Sequence, residues 1–238
     1  MTIRITISTL KSRSQRRGRT MNAFHGNELT SALVADALDT FGLRHQCLGP
    51  GLAPVRSESA NPTCLVGPAF TLLAQAAAHP NPASPYQGLL EGMDHVSAGA
   101  VVVFATGNSA AAAVWGELIT AACQHKAVAG AVTDGFVRDA QALAQSGFPV
   151  FNRGSVPYDS KGRLDVVAHQ VPIEIDGVRV VPGDLIVADT DGVVVVPQQV
   201  VPRLTRAVEA KQAAEHDVRA SVARGSTLRQ AFDQHGVL

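Results

Sequence analysis

Apolar positions at 33, 34, 37, 38 and 41 recur at helical spacing. Thr30 or Ser31 can cap that run and Gly42 can close it, which predicts a helix over residues 30–42. Residues 43–60 are rich in Gly and Pro and read as loop, and residues 65–77 read as a strand with a Gly-Pro interruption. A second loop covers 79–85 and a short helix 86–95. The short apolar runs 100–105 (AVVVFA) and 129–133 (AGAVT) have no polar alternation, the mark of strands buried on both faces. A Gly-Asn-Ser turn at 107–109 and an Ala-rich stretch expected to be helical lead into WGELITAACQHK. After the Asp134-Gly135 turn, Val137-Arg138-Asp139 is expected to open a helix running to about Ser146, closed by Gly147, with a further strand at 149–151. Strand–helix–strand order of this kind implies parallel pairing.

From residue 164 the pattern changes. Alternation over 164–180 flanks Asp176-Gly177, a hairpin signal between IEI and VRVV. Residues 182–197 (PGDLIVADTDGVVVVP) give two Val/Ile-rich strands around a turn at Asp189–Asp191, so this third is expected to be antiparallel. A charged amphipathic helix over 198–220 and a short one over 226–234 complete the chain. No internal repeat and no dividing linker is present, so the fold class is α/β, a single domain mixing parallel and antiparallel sheet.

Composition narrows the function classes. Of 238 residues, 46% are apolar and only 5% aromatic, which disfavours a stacking surface for nucleic acid. The formal net charge is zero, yet residues 1–20 hold Arg4, Lys11, Arg13, Arg16, Arg17 and Arg19 and no acid. The remainder carries 14 bases against 20 acids, a net of −6, so the folded body has no general nucleic-acid footprint. Residues 1–26 are expected to form a disordered basic arm before a domain at 27–238. That arm reads as a tether, an extension upstream of a true start at Met21, or an organelle presequence. No run approaches the roughly 18 apolar residues that a membrane span requires. Cys47, Cys64 and Cys123 form no CxxC or zinc pattern, and a reducing cytoplasm is the expected location.

Two segments can carry chemistry. In Gly116-Glu117-Leu118-Ile119 the Gly permits close approach of a ligand, and the N–H groups of a helix start bind carboxylates or phosphates. In Arg138-Asp139 the Arg can grip a carboxylate and the Asp can hold a hard cation. The plain alternative for both is a solvated helix start with an N-cap. The four lysines, Lys11, Lys126, Lys161 and Lys211, all lie outside apolar strands, which argues against a Schiff-base mechanism. His79, His95, His125 and His169 show no HxH or HExxH pairing and read as surface or supporting residues, and Trp115 reads as a packing anchor. Loops 79–92 and 152–163 are the expected lining for the distal part of a substrate.

The segment WGELITAACQHKAVAGAVTDGFVRD (115–139) resembles the signature of the RraA-like family. The resemblance extends over roughly residues 28–200, through GPAFTL (67–72), GFPVF (147–151) and PGDLIVADTDGVVVVP (182–197). That family includes regulator of ribonuclease activity A and the class II pyruvate aldolases acting on 4-hydroxy-4-methyl-2-oxoglutarate and 4-carboxy-4-hydroxy-2-oxoadipate. The resemblance implies a compact β/β/α fold of the swivelling-domain type. It implies that backbone N–H groups of Gly116, Glu117, Leu118 and Ile119 hold a pyruvyl carboxylate and that Arg138 binds substrate oxygens. Asp139 then anchors Mg2+ or Mn2+, and Glu117 assists proton transfer. It further implies a homotrimer or homohexamer, with an acid such as Glu209, Glu215 or Asp217 supplied by a neighbour. The function so implied is a metal-dependent lyase that releases pyruvate from a 4-hydroxy-2-oxo acid or oxaloacetate. The alternatives are a non-catalytic regulator binding a ribonuclease, or another lyase or hydratase acting on a hydroxy acid.

Overall fold

The computed structural model describes residues 29–55 and 64–237; the basic arm at 1–26 lies outside the described residues. Its centre is an eight-stranded mixed sheet. The strands along it are β1 (Ala53–Pro54), β7 (Val150–Asn152), β5 (Gly130–Thr133), β3 (Val101–Ala105), β2 (Leu65–Ala76), β11 (Leu185–Asp189) and β12 (Gly192–Val196), in that spatial order. β2, β3, β5 and β7 run parallel, whereas β11 and β12 form an antiparallel hairpin on the far side of β2. β8 (Leu164–His169) pairs antiparallel with the second half of β2. The twelve-residue β2 therefore carries β11 at its start and β8 at its end, and Gly67-Pro68 falls inside the strand without ending it.

Burial follows the pleat. Val101 and Val103 face one core with Phe151, Ile186 and Val195, whereas Val102 and Phe104 face another with Phe70, Leu72 and Trp115. Each strand is apolar throughout because both its faces are covered. Helices α2 (Gln87–Asp94), α3 (Glu117–His125) and α4 (Ala140–Ser146) lie on the second core. The hairpin β9 (Ile173–Ile175) and β10 (Val178–Val180) covers the first, with its turn at Asp176 and Gly177, both at positive φ as expected.

A third core joins α1 (Ser31–Asp39) and the 23-residue α5 (Val201–Ala223) to the outer faces of Leu185, Val187, Val194 and Val196. Thr30 is the N-cap of α1, its hydroxyl accepting from the Leu33 N–H. Asp189, expected as a turn residue, also tethers this helix: its carboxylate accepts from the Ser31 N–H and hydroxyl. The short α6 (Leu228–His235) follows.

Two expectations near the candidate site need correction. Residues 113–115 are not helical; β4 (Ala113–Trp115) is a short buried strand. Val137 does not open a helix either. Phe136–Val137 is strand β6, and α4 begins only at Ala140. The cause is the same in both places. β4 and β6 pair in parallel, and that pairing satisfies backbone groups that the local Ala-rich and charged sequence would otherwise direct into a helix.

Candidate active site

The β4–β6 pairing builds the candidate site. Ala113 stands opposite Phe136 and Trp115 opposite Val137, and the Arg138 N–H donates to the Trp115 carbonyl at 2.9 Å. This brings Gly116-Glu117, at the start of α3, against Arg138-Asp139, at the start of α4. The Glu117 N–H donates to Asp139 Oδ2 at 3.3 Å across 22 residues of sequence. Gly116 permits the approach: a Cβ there would stand 2.8 Å from Asp139 Oδ2 and 3.2 Å from Arg138 Cγ. Trp115 is buried, donates from Nε1 to Thr120 Oγ1 and stacks on Phe148, anchoring the strand as expected.

Several polar contacts hold this frame from below. Asp134, 1% exposed at the end of β5, accepts from the Thr106 N–H and hydroxyl and from the Asn108 N–H, fixing the loop between β3 and β4. Asp139 itself has a left-handed backbone (φ 56°, ψ 37°), a conformation that Asp tolerates better than most residues. A non-glycine residue held there suggests a local constraint imposed by the surrounding contacts.

The structure adds two residues that the sequence reading did not single out, though both lie on the loops expected to line a pocket. Asp159 Oδ2 stands 3.5 Å from Arg138 Nη1 and accepts from the Tyr86 hydroxyl at 2.6 Å. Arg138 Nε lies 3.8 Å from Asp139 Oδ2, so the guanidinium sits between two carboxylates. These distances exceed normal hydrogen bonds, leaving its N–H donors available to a ligand. Burial alone would raise the Asp159 carboxyl. The Tyr86 hydroxyl, the Lys161 N–H, the Arg138 charge and the Ser160 N–H outweigh it and hold the group below its usual value, hence ionised. Reciprocally, the hydrogen bond to Asp159, with some burial and the same negative charge, raises the Tyr86 hydroxyl.

Arg138, Asp139, Ser155, Val156 and Pro157 bound an open hollow of about 400 Å³. A more enclosed hollow of about 350 Å³ lies between α2 and β8, with Tyr86, Glu91, Ser160 and His169 in its wall. The first is lined by the Arg138 and Asp139 charges, and Asp139 links it to the start of α3 through the Glu117 N–H. Along α3, Leu118 is 76% exposed, whereas Ile119 packs inward on the core. The early N–H groups of α3, at Leu118 and Ile119, have no carbonyl one helical turn before them.

Among the described residues, the lysines, the buried cysteine and the histidines make other contacts or face solvent. Lys126 donates to the Met93 and Asp94 carbonyls, Lys211 pairs with Asp36, and Lys161 is exposed. Burial, partly offset by Lys126, pushes the Cys123 thiol up to about 11. His79, His95 and His125 are exposed, and His169 is half-buried between Phe70 and His95. On α5, Glu209 and Asp217 are exposed and Glu215 pairs with Arg219. Among the described residues no three His, Cys, Asp or Glu side chains converge as a metal cluster. Nor is any described helix long and apolar enough to cross a membrane.

The chain and its fold have counterparts among known proteins. Residues 31–195 match the family model RraA-like, described as Aldolase/RraA. "Putative 4-hydroxy-4-methyl-2-oxoglutarate aldolase" of Halalkalibacterium halodurans is 32% identical over 185 residues, 78% of this chain and 80% of that one. Protein DlpA of Legionella pneumophila is 29% identical over 205 residues; the match covers 86% of this chain but only 32% of DlpA, so the chain spans about a third of that relative's length. The crystal structure of Streptomyces coelicolor RraAS2, described as an unusual member of the RNase ES inhibitor RraA protein family, superposes with a TM-score of 0.69 at 28% identity. It covers 88% of this chain and 97% of that one. The mixed curled sheet, the family model and these relatives agree: the chain belongs to the RraA-like family.

Proposed function

We propose that the protein is a divalent-metal-dependent lyase that releases pyruvate from a 4-hydroxy-2-oxo acid, from oxaloacetate, or from both. The observation that carries this reading is the juxtaposition of the α3 N-terminus with Arg138 and Asp139. It combines an anion-binding helix start, a guanidinium with available donors and a partly exposed carboxylate. The name of the Halalkalibacterium relative supports the substrate class.

The donor set fits a hard cation. Asp139 and Glu117 offer oxygen and no nitrogen or sulfur ligand, and a lone carboxylate completed by water suits Mg2+ or Mn2+ better than zinc. The missing Cβ of Gly116 leaves Asp139 Oδ2 its position in that cradle. When bound, the cation supplies Lewis-acid stabilisation of the charge that develops on the 2-oxo oxygen.

The remaining chemistry falls to the chain. Arg138 and the N–H groups of Leu118 and Ile119 bind and orient the pyruvyl carboxylate. In retro-aldol cleavage the C3–C4 bond breaks, the C4 hydroxyl loses its proton, and the electron pair stays on the pyruvate fragment as its enolate. In oxaloacetate decarboxylation the C4 carboxylate leaves as CO2 and the same enolate remains. In the retro-aldol case Glu117, in the first turn of α3, would accept the C4 hydroxyl proton and return it to C3; in decarboxylation the proton that C3 takes up comes from water. The Tyr86-lined hollow can accommodate the distal part of the substrate. By the family resemblance, subunits assemble as trimers or hexamers, with an α5 acid of a neighbour facing the site.

The test is a panel of 4-hydroxy-2-oxo acids and oxaloacetate with Mg2+ or Mn2+, followed by coupled detection of pyruvate. Asp139→Ala is expected to abolish release. Release that survives in that variant, or in excess chelator, refutes the mechanism. A second reading, a contact regulator of a ribonuclease, is favoured by the likeness to RraAS2. Retention of a ribonuclease on the immobilised protein, with no pyruvate from any substrate, would select it.

A further inference from the structure

We propose that Asp159 is a positioning residue that keeps the Arg138 guanidinium from closing fully onto Asp139, and so leaves Asp139 available to a divalent cation. The inference rests on the lyase reading above, in which Asp139 is the cation's protein ligand.

Arg138 and Asp139 are chain neighbours, so the guanidinium is tethered beside the very carboxylate that the cation must use. Left alone, opposite charges on so short a tether close into an ion pair, and Arg138 would then compete with the cation. In the structure the pair is loose rather than closed: Nε stands 3.8 Å from Asp139 Oδ2, beyond hydrogen-bond distance, while Nη1 lies nearer, at 3.5 Å, to Asp159 Oδ2. The second carboxylate supplies the opposing pull.

Asp159 is itself well fixed. Its backbone bridges in parallel to Ala113, and the Ala113 N–H donates to the neighbouring Tyr158 carbonyl at 2.8 Å. Its Oδ1 accepts from the Lys161 N–H, its Oδ2 from the Tyr86 hydroxyl, and its carbonyl oxygen from Arg163 Nη1. Ala113 begins β4, which ends at Trp115 just before Gly116, so the restraining charge and the cradle for Asp139 share one frame. Tyr86 fixes the carboxylate from the opposite side, from the N-cap of α2.

The experiment measures Mn2+ binding alone, by titration calorimetry, on the full chain and on variants whose thermal midpoints are recorded in parallel. Wild type is expected to bind, and Asp139→Asn to lose binding. Asp159→Asn keeps the shape and the Tyr86 contact but loses the charge. It should weaken Mn2+ binding about twofold to fivefold, the scale of a partly exposed ion pair. In an Arg138→Gln background, where no guanidinium can collapse, the same Asp159→Asn change should have no effect. Tyr86→Phe should weaken binding in the same direction by less, and this exposed-side change carries the comparison if Asp159→Asn does not fold.

The failures are distinguishable. No binding by wild type, or undiminished binding by Asp139→Asn, removes the cation site and this inference with it. Asp139-dependent binding that Asp159→Asn leaves unchanged overturns the inference alone. So does an equal loss with and without Arg138, because Asp159 would then act on the cation directly rather than through the guanidinium.

Discussion

Gly116→Ala tests the site by one methyl group. Gly116 is extended (φ −162°, ψ −171°), a backbone that any residue adopts, so the substitution introduces no backbone strain. The new Cβ would lie 2.8 Å from Asp139 Oδ2, 3.2 Å from Arg138 Cγ and 3.5 Å from Arg138 Nε. Against a normal carbon–oxygen contact of about 3.3 Å or more, the carboxylate must move by about half an ångström. The exposed carboxylate can swing outward, which breaks its bond from the Glu117 N–H. The stability cost is then modest, because Ala is only a poorer N-cap than Gly, by about 1 kcal/mol or less. For a chain of this size that is about 2–4 °C in thermal midpoint. The catalytic cost is larger, since misplacing reacting groups by about 1 Å can lower rates 100-fold, or about 2.7 kcal/mol. The assay is pyruvate release at saturating Mn2+, with calorimetry on the same preparation. A folded Gly116→Ala protein whose kcat/KM stays within twofold of wild type would refute the close contact between Gly116 and Asp139 as a feature of the working site.

Three further outcomes are expected. Arg138→Ala should lower kcat/KM about tenfold to a hundredfold, the worth of a charged hydrogen bond of about 1.5–3 kcal/mol; unchanged kinetics would remove Arg138 from substrate binding. Asp134→Ala leaves the buried Thr106 N–H without its acceptor and should cost about 3 kcal/mol or more in urea denaturation; a loss below 1 kcal/mol would show that the loop does not depend on it. Cys123 is protonated in the folded protein up to about pH 11, whereas an unfolded thiol ionises near 9.0. The unfolded state therefore binds fewer protons between those values, and stability falls as pH rises through them. Urea midpoints at pH 8 and pH 10.5 should converge between wild type and Cys123→Ala or shift in the variant's favour; a constant difference would contradict the buried neutral thiol.

Local pattern determined a great deal about this protein. The faces of α1, the doubly buried strands β3 and β5, the Asp176-Gly177 hairpin and the paired β11 and β12 are all legible in the sequence. In each, the burial period or the turn residue is contained within a few neighbours. The family signature at 115–139 likewise contains both segments of the candidate site. Tertiary structure decided what joins them. β4 and β6 are three and two residues long, too short to show a period, and Ala110–Ala113 has helical propensity. Their strand state comes from pairing with each other across 20 intervening residues, and no local preference encodes that. The same holds for Tyr86 and Asp159, which lie in polar loops 73 residues apart and meet only because Asp159 bridges to β4. Thus sequence periodicity sufficed for the cores, where burial repeats along a single element. The geometry around Arg138 required the fold, because its determining contacts are long-range, polar and made one at a time.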